Sequence, residues 1–294
     1  MTMLRVILLV AMLMACPSFA EANDEQHQFY FEKEAVSLEV EVLLPDSYHQ
    51  NPGAKYPVLY ILDGFWTKEP VQRFYSNLRF DNMIPELIIV SIGYPDSIES
   101  VEEKRLWDLT PVYDTGFQAG GNAPVLLELL STSVIPAVDR QYRTDQSRRI
   151  LTGHSLAALF TLYTMYQAPG TFTHYAAISP SALWADEVLA KLDNTYARKS
   201  SVLPAHVYIT YGTEEYRPYV DALMRYLQQL QDRDYQDLAL SLASVEGLRH
   251  VGMTSEGFLR GMVWAFADIR PEGPSEFEKM NVRALEQKRQ SAAD

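Results

Sequence analysis

Arg148-Arg149-Ile150-Leu151-Thr152-Gly153-His154-Ser155-Leu156-Ala157-Ala158-Leu159-Phe160 is the stretch from which the architecture is read. A short apolar run, 150–152, meets a turn of small residues at 153–155, and 156–165 then reads as helix. A serine at the tip of such a strand, turn and helix has its hydroxyl pushed out above the sheet edge. It stands there at the positive end of the following helix, where an anionic intermediate is stabilised. The usual pattern is Gly-x-Ser-x-Gly, and Ala157 takes the place of the second glycine. The nucleophile of such a turn adopts a positive φ, so its i−2 and i+2 neighbours must be small for strand and helix to pass closely. Alanine adds one methyl, which a slight shift of the helix accommodates at about 1 kcal/mol where the contact is tight. A serine in this setting also reads as an N-cap. The rest of the chain decides between the two.

Outward from this stretch, Val36, Leu38, Val40, Val42 and Leu44 alternate with polar residues and mark a half-buried strand. Continuous apolar runs at 58–62, 87–92, 150–152, 176–178, 206–211 and 238–245 each end at a turn residue, as strands buried on both faces do. Between them lie helical spacings: Val125, Leu126, Leu129, Leu130, Val134 and Val138; Leu156, Leu159, Leu162 and Tyr163; Val220, Leu223, Leu227 and Leu230. A last helix carries Phe258, Met262, Phe266 and Ile269. Apolar strands alternating with amphipathic helices predict an α/β fold, a mostly parallel central sheet with helices on both faces. In such folds the chemistry collects at the carboxyl ends of the strands.

The first residues do not read as part of this fold. Arg5 supplies a basic start, 6–15 an apolar segment too short to span a membrane comfortably, and Ser18-Phe19-Ala20 or Ala20-Glu21-Ala22 a cleavage site. Residues 1–22 are therefore read as a signal peptide and the location as periplasmic or secreted. The one cysteine, Cys16, follows Leu13-Met14-Ala15 and faintly resembles a lipoprotein box, which ranks behind simple cleavage. Residues 23–270 are assigned to a single domain that must rely on its core, since no disulfide is available to it. Residues 271–294 form a polar carboxyl-terminal tail. A net charge of −13 argues against nucleic acid and anionic membrane surfaces as partners. No metal-ligand cluster or phosphate loop appears, so no metal or cofactor is expected, and no integral membrane segment follows the signal.

A serine hydroxyl needs a neighbouring base, and histidine is the usual one. His27 and His49 lie early, His174 and His206 precede strands and so sit at the wrong sheet edge, and His154, next to Ser155, is expected to point away from it. His250 lies just past the carboxyl end of a strand and is the candidate base. A third group should hold the imidazole in the right tautomer. Glu215, after the strand that ends at Gly212, is the first choice, followed by Glu214 and then Asp186. Two backbone donors should face the oxyanion. The Leu156 amide follows the nucleophile, and the Phe65 amide follows the Asp63-Gly64 turn at the end of the 58–62 strand. Trp66, Tyr94 and Trp184, with Trp107, lie near strand ends and are candidates to line an acyl or aryl pocket; packing is the alternative for each.

The series Leu62-Asp63-Gly64, Trp107-Asp108-Leu109-Thr110-Pro111, Gly120-Gly121, Tyr142-Arg143-Thr144-Asp145 and Gly153-His154-Ser155-Leu156 resembles the putative-esterase family of α/β-hydrolases, which includes esterase D and siderophore-esterase types. Ser179-Pro180-Ser181, Trp184, Gly212-Thr213-Glu214-Glu215 and His250 continue the resemblance over most of the chain. It departs at Ala157-Ala158, where Gly-Gly is common, and at Val251, where Gly is common. The resemblance implies an α/β-hydrolase sheet, a serine nucleophile at Ser155 and a base at His250. Some relatives work with serine and histidine alone, so the acid is left open. The expected activity is hydrolysis of carboxylic esters through an acyl-enzyme, with a small-molecule ester, a siderophore or aryl ester among the choices, as partner. Acyl transfer on the same fold and a non-catalytic binding module are the alternatives. Oligomeric state is not read from the sequence.

Overall fold

The computed structural model describes residues 27–291. Its single sheet contains eight strands among the described residues: β1 (His27–Lys33), β2 (Val36–Leu43), β3 (Tyr56–Leu62), β4 (Ile88–Gly93), β5 (Thr144–His154), β6 (His174–Ile178), β7 (Val202–Gly212) and β8 (Gln236–Val245). They run in the order β1-β2-β4-β3-β5-β6-β7-β8. β2 is antiparallel to both β1 and β4, and every pairing from β4 through β8 is parallel. Each β3 residue is buried, as a central strand covered on both faces requires. β2 alternates buried and half-buried residues, as its period of two predicts.

The helices are α1 (Gly64–Phe80), α2 (Val101–Asp108), α3 (Ala123–Leu129), α4 (Ile135–Gln141), α5 (Leu156–Gln167), α6 (Trp184–Ala197), α7 (Arg217–Asp232), α8 (Met253–Ala265) and α9 (Glu276–Ser291). One core layer packs Val71 and Leu78 of α1 with Phe258 and Met262 of α8 against Leu59 and Ile61 of β3. The other packs α3 to α7 against the opposite face, with Tyr60 and Leu62 of β3 beneath them. Apolar burial over both faces is the main source of stability in a chain of this length.

Several sequence expectations are corrected. The helical pattern at 125–138 is two helices joined by a π turn, Leu130–Val134. Pro136 lacks the N–H that would bond the Thr132 carbonyl, and its ring crowds that carbonyl, so the ladder widens there. β8 is an edge strand of mixed exposure, not one buried on both faces. The last apolar helix stops before Ile269, which is exposed beyond it. β1, α1, α2 and α6 lie outside the strand runs and helical spacings read above. In the tail, Ser275 and Glu278 form a reciprocal cap on α9, with Ser275 N–H to Glu278 Oε2 at 2.8 Å and Glu278 N–H to Ser275 Oγ at 3.1 Å. Phe277 meets Phe80 of α1 edge-on. The signal-peptide reading of residues 1–22 and the lipoprotein alternative at Cys16 lie outside the described residues. Among the described residues no helix is long and apolar enough to cross a membrane.

Candidate active site

Ser155 joins β5 to α5 with φ 62° and ψ −115°, a strained conformation for a residue with a side chain. Its amide donates to the Ile178 carbonyl at 2.9 Å, which ties the turn to the neighbouring strand β6. A Cβ on Gly153 would lie 2.6 Å from the Ala157 Cβ and 2.7 Å from its carbonyl carbon. The space the turn needs is therefore left at Gly153. The Ala157 methyl occupies the other side of the crossing and is fully buried.

His250 stands in the loop that follows β8. Its Nε2 lies 2.9 Å from Ser155 Oγ, and its Nδ1 lies 2.7 Å from Glu215 Oε2. The second Glu215 oxygen accepts from the Gly212 amide at 2.8 Å and from Ser179 Oγ at 2.6 Å. An ionised carboxylate only accepts, so Nδ1 carries the proton and Nε2 is left to accept from the Ser155 hydroxyl. Burial pushes the Glu215 carboxyl up, but the bonds from His250, Gly212 and Ser179 outweigh it and hold the group below its ordinary value. Glu214 is exposed, and its amide is spent on the Leu248 carbonyl at 3.0 Å. Asp186 lies in a run of three left-handed residues with Ala185 and Glu187 at the start of α6. Of the three acids considered, Glu215 is the one that contacts His250. Gly212 is required here for a steric reason: a Cβ on it would sit 2.2 Å from the Leu248 oxygen, within the loop that carries His250.

The amides of Leu156 and Phe65 fall in the first turns of α5 and α1, where an N–H has no acceptor within its own helix. The Phe65 loop is held by a long-range ion pair that no sequence pattern marks. Asp63 is buried in a left-handed conformation, and Arg105 of α2 binds it through two bonds of 2.6 Å each. The same guanidinium lies over the Trp66 ring at 4.8 Å. Gly64 permits the close approach to β4, since a Cβ there would be 2.3 Å from Ser91 Oγ.

The expected pocket aromatics divide. Trp66 is partly exposed beside Phe65, whose ring is largely in solvent. Tyr94 and Trp184 are largely buried, Tyr94 at the wall of a cavity it shares with Gly64, Phe65 and Ser91. Trp184 donates its indole N–H to the Val112 carbonyl at 3.0 Å and is covered by the stacked ring of Phe117. The exposed rings on this sheet edge include Phe65, Trp66, Tyr113, Phe117 and Tyr216. Ser181, given no role in the sequence reading, has its Oγ 3.3 Å from Ser155 Oγ. Among the described residues no three histidine, cysteine or acidic side chains are grouped to hold a metal ion.

The family model described as "Putative esterase" matches residues 36–247, a segment that holds Ser155 and Glu215 and ends just before His250. The chain belongs to the putative-esterase family. Similar members of known description include the siderophore triacetylfusarinine C esterase of Aspergillus fumigatus, 31% identical over 165 residues, 53% of this chain and 56% of that one. The ferri-bacillibactin esterase BesA of Bacillus subtilis is 27% identical over 179 residues, 56% of this chain and 62% of that one. The chain thus spans a little over half the length of these curated relatives. Among solved structures, the siderophore hydrolase EstB of Aspergillus nidulans superposes with a TM-score of 0.73 at 21% identity, covering 87% of this chain and all of that one. An IroE-like serine hydrolase of Shewanella oneidensis gives 0.74 at 19% identity over 84% and 82% of the two chains. These likenesses show the α/β-hydrolase fold that the strand order describes.

Proposed function

We propose that this family member is a serine hydrolase that cleaves carboxylic esters of a siderophore through an acyl-enzyme. The observation that carries the reading is the continuous hydrogen-bonded line from Glu215 through His250 to Ser155, beside two first-turn amides. In the first half-reaction His250 Nε2 takes the Ser155 proton as Oγ bonds to the ester carbonyl carbon, and the carbonyl oxygen becomes an oxyanion facing the Leu156 and Phe65 amides. Collapse breaks the carbon–oxygen bond to the alcohol, which leaves with the proton from His250. Water then repeats the sequence, giving its proton to His250 and releasing the acid and free Ser155. Glu215 holds the imidazole and stabilises its charged form, as in other triads.

The siderophore assignment rests on the substrates named for the curated relatives and on the exposed rings of Phe65, Trp66 and Tyr216, which suit a bulky, partly apolar ester. An exported location is part of the same proposal and rests on the basic, apolar and small-residue pattern of residues 1–22. The test is turnover of p-nitrophenyl acetate and butyrate, then of triacetylfusarinine C and bacillibactin, by the purified protein and by Ser155→Ala. Wild type should hydrolyse both groups and form a fluorophosphonate adduct on Ser155, and the variant should do neither. Ester cleavage that survives Ser155→Ala would remove the nucleophile, and activity confined to the nitrophenyl esters would remove the siderophore assignment.

A further inference from the structure

The imidazole of His154 reaches the loop that bears His250. His154 Nε2 lies 2.9 Å from the His250 carbonyl oxygen, and the two rings lie 4.6 Å apart at 42°. A carbonyl only accepts, so the Nε2 of His154 carries the proton and donates. Two successive residues of one turn thus hold two parts of a single residue in another: His154 takes the backbone of His250 and Ser155 takes its side chain.

The surrounding loop explains why such a tie matters. Its near end is fixed by Glu214 N–H to the Leu248 oxygen at 3.0 Å and by Gly247 N–H to Thr213 Oγ1 at 2.9 Å. Beyond that point the chain stands in the open, with Arg249 exposed and Val251 81% exposed. The remaining hold on the His250 carbonyl is the Met253 amide at 3.3 Å, which is shared with Arg249. Burial first, and the neighbouring His250 second, push the His154 pKa down to about 4, so at neutral pH the donor adds no charge beside the base.

We infer that His154 is a positioning residue that ties the loop bearing His250 to the turn bearing Ser155, fixing the distance between base and nucleophile. This rests on the assignment of Ser155 and His250 above. A hydrogen-bonded pair displaced by an ångström loses on the order of a hundredfold in rate, while ester binding by the aromatic rim is untouched.

The experiment compares His154→Phe, which keeps a ring but has no donor, with His154→Gln, which keeps an N–H of similar reach. We expect kcat on p-nitrophenyl butyrate to fall at least tenfold in His154→Phe with KM within twofold of wild type, and most of it to return in His154→Gln. Amide hydrogen exchange at residues 249–253 should quicken in the Phe variant and not in the Gln variant, a readout that needs no turnover. Should His154→Phe fail to fold, His154→Asn, whose amide is too short to reach, carries the same expectation. Phe kinetics within twofold of wild type, a Gln variant as slow as Phe, or unchanged exchange would each overturn the role. Loss of turnover and of fluorophosphonate labelling in Ser155→Ala is read separately, so a failure of the nucleophile assignment is distinguishable from a failure of this one.

Discussion

Glu215 is fully used. Each of its oxygens is bonded, and its three donors come from the loop of His250, from the end of β7 and from Ser179. Removing its charge while keeping its shape changes one thing above all, the proton on His250 Nδ1. In Glu215→Gln the amide can offer N–H to Nδ1, which drives the proton to Nε2 and leaves nothing to accept from Ser155. A wrong tautomer of this kind costs about 10⁴-fold in kcat in a well-studied triad, so we expect a fall of roughly 10³–10⁴ here with KM little changed. Glu214→Gln is the control, since Glu214 is exposed and touches neither His250 nor Ser155 through its side chain. Steady-state kinetics of the two variants decide the matter. If Glu215→Gln keeps most of its kcat, serine and histidine suffice and the acid is structural.

At the scale of the element, the turn between β5 and α5 sets what can be exchanged. A Cβ at Gly153 would meet the Ala157 Cβ at 2.6 Å and also its carbonyl carbon and oxygen at 2.7 and 2.8 Å. Backbone atoms cannot move aside as a side-chain tip can. Gly153→Ala should therefore destabilise the protein by about 3 kcal/mol or more, seen as a lower melting temperature and lost fluorophosphonate labelling. Ala157→Gly should label as wild type does and lose only helix propensity, about 1 kcal/mol. The double variant should not recover, because the carbonyl remains in the way; recovery would mean that the methyl alone made the contact. This steric detail marks how far the sequence could be read. Alternation of apolar strands and amphipathic helices placed Ser155, His250 and Glu215 at one sheet edge, since each follows a strand end. Whether Ala157 would fit depends on the spacing of strand and helix, which no pattern encodes. The Asp63–Arg105 pair was silent for a similar reason, because it joins residues far apart on a loop and a helix that periodicity did not mark. The tie from His154 to the His250 carbonyl was silent as well, since it joins a strand end and a loop far apart in the chain.

Across the whole molecule, the two edges of the sheet share a dependence on pH. At the edge away from Ser155, His174 of β6 stacks on His206 of β7 with ring centres 4.5 Å apart. Its Nε2 accepts from Arg148 Nη1 at 2.9 Å and its Nδ1 meets Thr173 Oγ1 at 2.9 Å. Arg148 also binds the Ala265 carbonyl, at 2.9 Å, and the Asp268 carboxylate, so this cluster joins β5, β6 and β7 to the end of α8. Burial, then Arg148, then His206 push the His174 pKa down to about 4, the same level as His154 at the other edge. An unfolded histidine titrates near 6.5. Between about 6.5 and 4 the unfolded chain binds protons that the native state refuses, so stability declines as pH falls through that window and these two contributions level off below it. Each histidine adds a slope of up to about 1.4 kcal/mol per pH unit. Thermal unfolding followed by circular dichroism should show a falling midpoint from pH 6.5 to 4. His174→Phe should start lower, because it offers Arg148 no acceptor, and then fall less steeply over the same range. A wild-type midpoint that is flat across this window, or a variant with the wild-type slope, would show that His174 is not held neutral by its surroundings.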